Sequence, residues 1–366
     1  IDLLTDSSAI SAEKILLMPR AEDSWKDFIN DVRIDFLFNN SIVNTSDISY
    51  FVRPLAGISE EVSFSGRVAG TVAELKGKNI RIDYEASTRL RFDFDISGLP
   101  EINDSYLFIS CTDMKTRAAD IERFTVPGRK PLRLPEVAHD LGLVTYKGSF
   151  TGFTTDFVSF GRITTERGTF DTDLSLKPDG RNTFGFRGSL RTRAVDLGYM
   201  AKNSEMFGGL WMHAEVDGTM KSFRHLSANI NGVIDSVEVN KYLYRNISVS
   251  GTYADRIWDG SVEVNEPNIE MSLLGRFDLE KSQPEFDFTM NLADADLHTL
   301  NLVKKDSVFR ATALVTANFR GNSTENLEGD LRLINSTLEN SNGKLNIYDF
   351  LVSSEIVSGE PVLRLR

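Results

Sequence analysis

EFDFTMNLADADLHTL, residues 285–300, alternates and then stops alternating. Phe286, Phe288, Met290 and Leu292 fall on one face of an extended chain, with Asp287, Thr289 and Asn291 on the other. That is the period-two pattern of a strand apolar on one side and polar on the other. The Asp-Ala-Asp-Leu-His-Thr-Leu that follows has a different period, because Leu297 and Leu300 are three apart, the spacing of a helical turn. The stretch therefore predicts a strand running into a short helical turn. Asp296 would cap that turn by accepting from its first free backbone N–H groups, and the apolar residues one and four places on would fold back over the sheet.

The same pairing of strand and turn recurs. Asp47-Ile48 is followed by Phe51, Asp120-Ile121 by Phe124, Asp196-Leu197 by Met200, and Asp296-Leu297 by Leu300. Each copy follows a strand-like stretch, and each precedes a strand that carries a glycine: Gly70, Gly152, Gly218 and Gly321. Four degenerate copies argue for an array of units rather than separate globular domains. The expected organisation is one elongated repetitive β domain over residues 1–366, with approximate units 1–120, 121–195, 196–296 and 297–366.

Alternation dominates elsewhere as well. VRIDFLF (32–38) puts Val32, Ile34, Phe36 and Phe38 on one side, and LRFDFDI (90–96) does the same with Leu90, Phe92, Phe94 and Ile96. TFDTDLSL (169–176) and NISVSGTY (246–253) follow the pattern, and PDG (178–180), NEPN (265–268) and SNG (341–343) supply turn signals. Helices are expected only at AEDSWKDFI (21–29), around PEVAHDLGL (135–143) and at the four Asp turns. The fold class is all-β with a few short helical turns.

Composition excludes several functions. The chain has 366 residues, 24 of them Phe, and a net charge of −12 with lysine and arginine scattered. A nucleic-acid partner would call for a basic stripe, and none is present. Cys111 is the only cysteine, so no internal disulfide forms, and its strand-like surroundings make it a small apolar filler. No window approaches the ~18 apolar residues of a membrane-spanning helix. His139, His213, His225 and His298 are scattered, and no phosphate-binding, zinc or nucleophile-elbow motif occurs. The alternating acids of ADAD, DFDFDI and FDTDL read as the wet face of strands rather than as a calcium loop, which needs six to eight oxygens at fixed offsets. No catalytic residue, metal ligand or cofactor is expected, and the chain is read as a non-enzyme.

What remains is a long one-sided apolar face. Alternation of this kind suits a closed sandwich or barrel core, which pattern alone favours. It also suits a sheet curled over its own apolar face into an open trough. Repeated Phe and Leu without small partners, on units strung in a line, lean toward the trough. Such a trough would be unfavourable in water unless something apolar filled it.

GSLRTRAVDLGYM (188–200), LLGRFDLEKSQPEFDFTMNLADADLHTLNL (273–302) and the Gly-strand-turn-strand pattern of 218–253 resemble the TamB and wider AsmA-like family of envelope proteins. The resemblance extends over essentially the whole chain. It implies a long curled β-sheet, taco-like in section, with a lengthwise hydrophobic groove. It also implies a periplasmic location and an inner-membrane anchor lying outside this stretch, which would then be an internal piece of a longer chain. The implied function is transport of phospholipid from the inner to the outer membrane, with acyl chains as the groove's occupants. The alternative is an assembly and translocation module working with an outer-membrane barrel to insert or secrete outer-membrane proteins. The residues expected to face the groove are Phe36, Phe38, Phe92, Phe94, Phe286 and Phe288.

Overall fold

A computed structural model describes residues 1–48, 60–123, 133–134, 136–180, 183–222, 225–304, 309–322, 326–357 and 360–366. The chain divides into two compact units, Ile1–Lys177 and Pro178–Arg366. The first holds β1 (Asp2–Leu4), β2 (Ala9–Pro19), β3 (Val32–Asn44), β4 (Glu61–Gly70), β5 (Glu74–Tyr84), β6 (Thr88–Ser97), β7 (Tyr106–Thr116), β8 (Val144–Gly152), β9 (Phe157–Thr165) and β10 (Gly168–Pro178). The second holds β11 (Phe184–Asp196), β12 (Phe207–Ser222), β13 (His225–Val239), β14 (Tyr242–Ala254), β15 (Ile257–Glu266), β16 (Ile269–Asp278), β17 (Glu285–Asp296), β18 (Phe309–Arg320), β19 (Glu328–Asn340), β20 (Gly343–Val357) and β21 (Glu360–Leu365).

The expectation of an all-β protein holds. Within each unit every described pairing is antiparallel and joins strands consecutive in the chain, so each sheet is a meander built from hairpins. The sheets are open and curled, and they do not close into barrels. Meander topology follows from the sequence, because short turn signals allow only the antiparallel return. Curling follows from strand twist together with bulges. Register shifts occur in β3, β7, β11 and β17, the four strands that lead toward the Asp turns.

The short helices lie where the sequence puts them. A 3₁₀ turn (Ser24–Asp27) runs into α1 (Phe28–Asp31), and α2 (Thr45–Ile48), α3 (Ala118–Arg123), α4 (Glu136–Asp140) and α5 (Leu197–Met200) follow. Residues 297–300 form a further turn after β17. The four Asp turns are not equivalent, however. Asp196 caps α5 by accepting from the Tyr199 N–H at 3.0 Å, and Asp296 accepts from the Thr299 N–H at 3.0 Å. Asp47 and Asp120 lie inside their helices instead. Asp47 accepts from the hydroxyls of Thr5 and Ser8, and the buried Asp120 accepts from those of Ser87 and Thr88. Each thus takes hydroxyl donors from residues well separated from it in sequence, on the strands and turns its helix packs beside.

The fold-back expectation is also met unevenly. Leu297 and Leu300 pack against the sheet, as does Leu197. Met200 and Ile121 point outward and are exposed, while Phe51 and Phe124 lie outside the described residues. The glycines are more regular. Gly70, Gly152 and Gly321 each sit at a strand end with φ of +127°, +136° and +138°, a conformation that glycine adopts without strain. Gly218 differs: it lies within β12, where a Cβ would come within 2.8 Å of the Phe186 ring.

Candidate functional site

Each sheet has one apolar and one polar face, and the two are stabilised differently. On the polar face, charges pair across strands. Asp35 is only 7% exposed, and it accepts from Lys14 Nζ at 2.6 Å and from Arg67 Nε at 2.8 Å. Hydrogen bonds from Arg67 and then Lys14 outweigh the burial cost and hold the Asp35 carboxyl well below the usual carboxylate range. The DFDFDI acids pair likewise, Asp93 with Lys78 at 2.8 Å and Asp95 with Lys76 at 2.6 Å. In FDTDL, Asp171 takes Arg162 at 2.5 Å, and in ADAD, Asp294 takes Arg310 at 3.4 Å. These acids are the wet side of strands.

The apolar face carries all six of the groove candidates, and all six are half-buried. In the first unit Phe36 and Phe38 lie edge to face with centroids 5.8 Å apart, and Phe38 meets Phe64 at 5.1 Å. Phe92 and Phe94 lie 6.1 Å apart on β6. Phe94 covers Gly77, where a Cβ would fall 2.1 Å from the ring. Register carries the row onward through Ile109 to Phe150, which packs on Phe157 at 4.5 Å. Cys111 is on the same face, opposite Phe92 and Gly148, and burial pushes its thiol pKa up. Among the described residues it is a filler, as the sequence suggests.

In the second unit, register places Tyr253, Trp258, Phe277, Phe286 and Phe319 side by side across five strands. Phe286 lies 5.8 Å from Phe277 and stacks on Phe319 at 4.9 Å. Phe288, two residues along, touches both neighbours at 6.0 and 6.4 Å. The Trp258 indole leans over Gly251 and Gly260, where a Cβ would come within 2.7 and 2.8 Å of it. Trp258, Phe277, Phe319 and Phe64 were not singled out from the sequence. Their signal was present in the alternation of IWDGSVEV and ANFRG, but the aromatic row forms only once register aligns five strands.

The opposite ends of these same strands are sealed. Val237, Ile247, Val264, Ile269, Ala295 and Leu300 form a buried cluster, with Ala295 and Leu300 at 0% exposure. The capped turns after β11 and β17 supply the cover through Leu197, Leu297 and Leu300. The second unit's apolar face is thus dry at the turn end and half-open at the aromatic end.

No family model, curated protein or solved structure matches this chain. Among the described residues, no three His, Cys, Asp or Glu side chains gather as metal ligands would, and no helix is long and apolar enough to cross a membrane.

Proposed function

We propose that this chain is a stretch of an intermembrane phospholipid conduit. Its apolar face would carry acyl chains between the inner and outer membranes, in the periplasm and without a catalytic step. One observation carries the reading: the phenylalanine-rich face is continuous across consecutive strands yet only half-covered in each unit. A face made for folding alone would be driven to closure, since each buried side chain of this size contributes roughly 1.5–3 kcal/mol. Leaving it half-open is unfavourable unless an apolar occupant covers it, and an acyl chain gains ~0.8 kcal/mol per buried CH₂. The absence of charged side chains among the six phenylalanines and their row neighbours suits a sliding occupant, because no polar group would trap it. Sequence resemblance to the TamB and AsmA-like family supports the periplasmic setting and the membrane anchoring in this reading.

Native mass spectrometry of the purified chain, with lipid extraction alongside, tests this. Bound phospholipid is expected, falling several-fold in Phe92→Asp and Phe286→Asp while the far-ultraviolet β signal persists. A lipid-free monomer with its apolar face protected from exchange would overturn the conduit. A bound strand-bearing polypeptide in place of lipid would favour the assembly-module reading, in which the sheet templates an outer-membrane protein.

A further inference from the structure

The wet face of the first unit is interrupted at one place, whatever covers the phenylalanine-rich face behind it. Tyr106 and Phe108 on β7, Phe153 just after β8, and Val158 and Phe160 on β9 are each between 40% and 63% exposed. Register sets them among wet-side residues. Phe108 stands opposite Asp95, and Phe160 opposite Asp173. The Tyr106 ring meets that of Phe153 edge to face, with centroids 5.5 Å apart. Around the patch the same face carries ion pairs, Asp95 with Lys76 and Arg162 with Asp171. We propose that the first unit pairs with a second copy of this chain through this patch on β7–β9.

Its area suits a dimer. With ~200 Å² for a fully exposed aromatic side chain, the five residues present roughly 450 Å² of apolar surface. A standard interface buries ~800 Å² per partner, a little over half of it non-polar, which is also roughly 450 Å². Single exposed apolar residues are ordinary on a protein surface, but five in contiguous rows mark a contact.

Its shape is self-complementary. Between the large side chains of β7 and those of β9 lie Ser149 and Thr151 on β8, opposite Phe160 and Val158. Small hydroxyl residues thus floor a trough about two strand spacings wide, ~10 Å from β7 to β9. A two-fold axis running along the strands between β8 and β9 sets each copy's Phe160 over the other's Ser149, and each Val158 over the other's Thr151. Ridge then enters trough twice, as a self-paired contact requires.

Charge agrees with a second copy. Lys147, two places from Ser149 on β8, and Asp173, beside Phe160, are both exposed, and neither has an ion-pair partner among the described residues. The two-fold arrangement turns each Lys147 toward the other copy's Asp173. The net charge of −12 on each copy is screened beyond ~8 Å at physiological salt, so the contact itself decides. An anionic membrane surface fits less well, because Asp95 and Asp173 flank the patch.

Sedimentation equilibrium of the full chain at physiological salt tests the pairing. A reversible dimer is expected in the micromolar range. Phe160→Asp should weaken it about tenfold or more with the far-ultraviolet β signal unchanged. Leu274→Asp, at a 64% exposed site in the second unit, should leave it intact. A chain that stays monomeric, or a dimer indifferent to Phe160→Asp, overturns the proposal. Lys147→Asp and Asp173→Lys should each weaken the dimer several-fold, and an equimolar mixture of the two variants should restore it, since opposite charges then meet at both contacts. A mixture no tighter than either variant alone overturns the two-fold arrangement. If the monomer instead floats with phosphatidylcholine vesicles, and Phe160→Asp abolishes flotation, the patch faces a membrane and the pairing is wrong.

Discussion

The two ends of the second unit's strands are made of similar apolar residues and end in different states. At the turn end, Ile269, Ala295 and Leu300 are buried. At the rim, Phe277, Phe286 and Phe319 remain half-exposed although their side chains are larger. Alternation made both ends equally apolar, and cover made them different. Two Asp-capped turns bring leucines over one end, and no described element brings any over the other. Burial in this protein is therefore decided by what the connections deliver, and the strands supply only the face to be covered.

The sharpest way to break that contrast is to truncate one side chain at each end and compare. Leu300→Ala leaves a cavity in a dry cluster and should cost about 2–5 kcal/mol in urea unfolding. Phe286→Ala removes more atoms, but from a half-wet site beside other rings, and should cost about 1–2 kcal/mol. Bound lipid should respond in the opposite order, falling with Phe286→Ala and persisting with Leu300→Ala in the fraction that remains folded. Equal stability losses would mean that the rim is as closed as the turn end.

The caps come next in size. Asp296→Ala should cost about 1 kcal/mol, the usual worth of an N-cap, and should loosen the leucine cover without touching the sheet. Its pH dependence has a definite sign. Hydrogen bonds from the Thr299 N–H, and then its hydroxyl, outweigh desolvation and hold the Asp296 carboxyl below its ordinary value. A carboxyl with a lowered folded pKa contributes stability that is present above the unfolded value of ~3.9 and is lost as pH falls through the folded one. Wild type should therefore lose stability relative to Asp296→Ala as pH drops below about 4, and the difference between them should be flat from pH 5 to 8. A constant difference down to pH 2 would mean that the cap is not formed.

Most of the fold was legible in the sequence, because period-two alternation and turn residues are local signals. Strands, hairpins, the short helices near residues 21–29 and 135–143, and the polar role of the acids in DFDFDI follow from them directly. The Asp turns show where such reading stops. Asp47, Asp120, Asp196 and Asp296 share one local pattern, yet Asp196 caps a helix, Asp296 caps a turn, and the other two bind hydroxyls from elsewhere in the chain. The difference lies in where each helix begins and in whether Thr5 and Ser8, or Ser87 and Thr88, come within reach, and both depend on contacts distant in sequence. The aromatic row was hidden for the same reason. Tyr253, Trp258, Phe277, Phe286 and Phe319 lie on five strands, and only register makes them neighbours.

A reactive probe of the open face exists in the first unit without any substitution. Cys111 lies on the apolar face opposite Phe92 and is half-buried, with its thiol pKa raised by burial. Maleimide alkylation at pH 7 should therefore be slow in the native protein but not abolished. It should slow a further several-fold when phospholipid is bound, because the occupant would cover the same face, and recover in Phe92→Asp, which disfavours an acyl chain beside it. A rate unchanged by lipid would place the occupant elsewhere on the molecule and confine the half-open face of the first unit to a structural role.

The smallest expected effect comes from the turn residue that breaks the fold-back pattern. Met200 stands where Leu300 stands in its own turn, four places after the capping Asp, but it is 58% exposed while Leu300 is fully covered. Met200→Ala should change stability by less than about 0.5 kcal/mol, as a surface substitution does, and Met200→Leu should behave the same way. If Met200→Ala instead costs as much as Leu300→Ala, the α5 turn closes over the sheet in solution as the later turn does. The sealed end would then extend further toward β11, and the half-open part of the face would be narrower by that much.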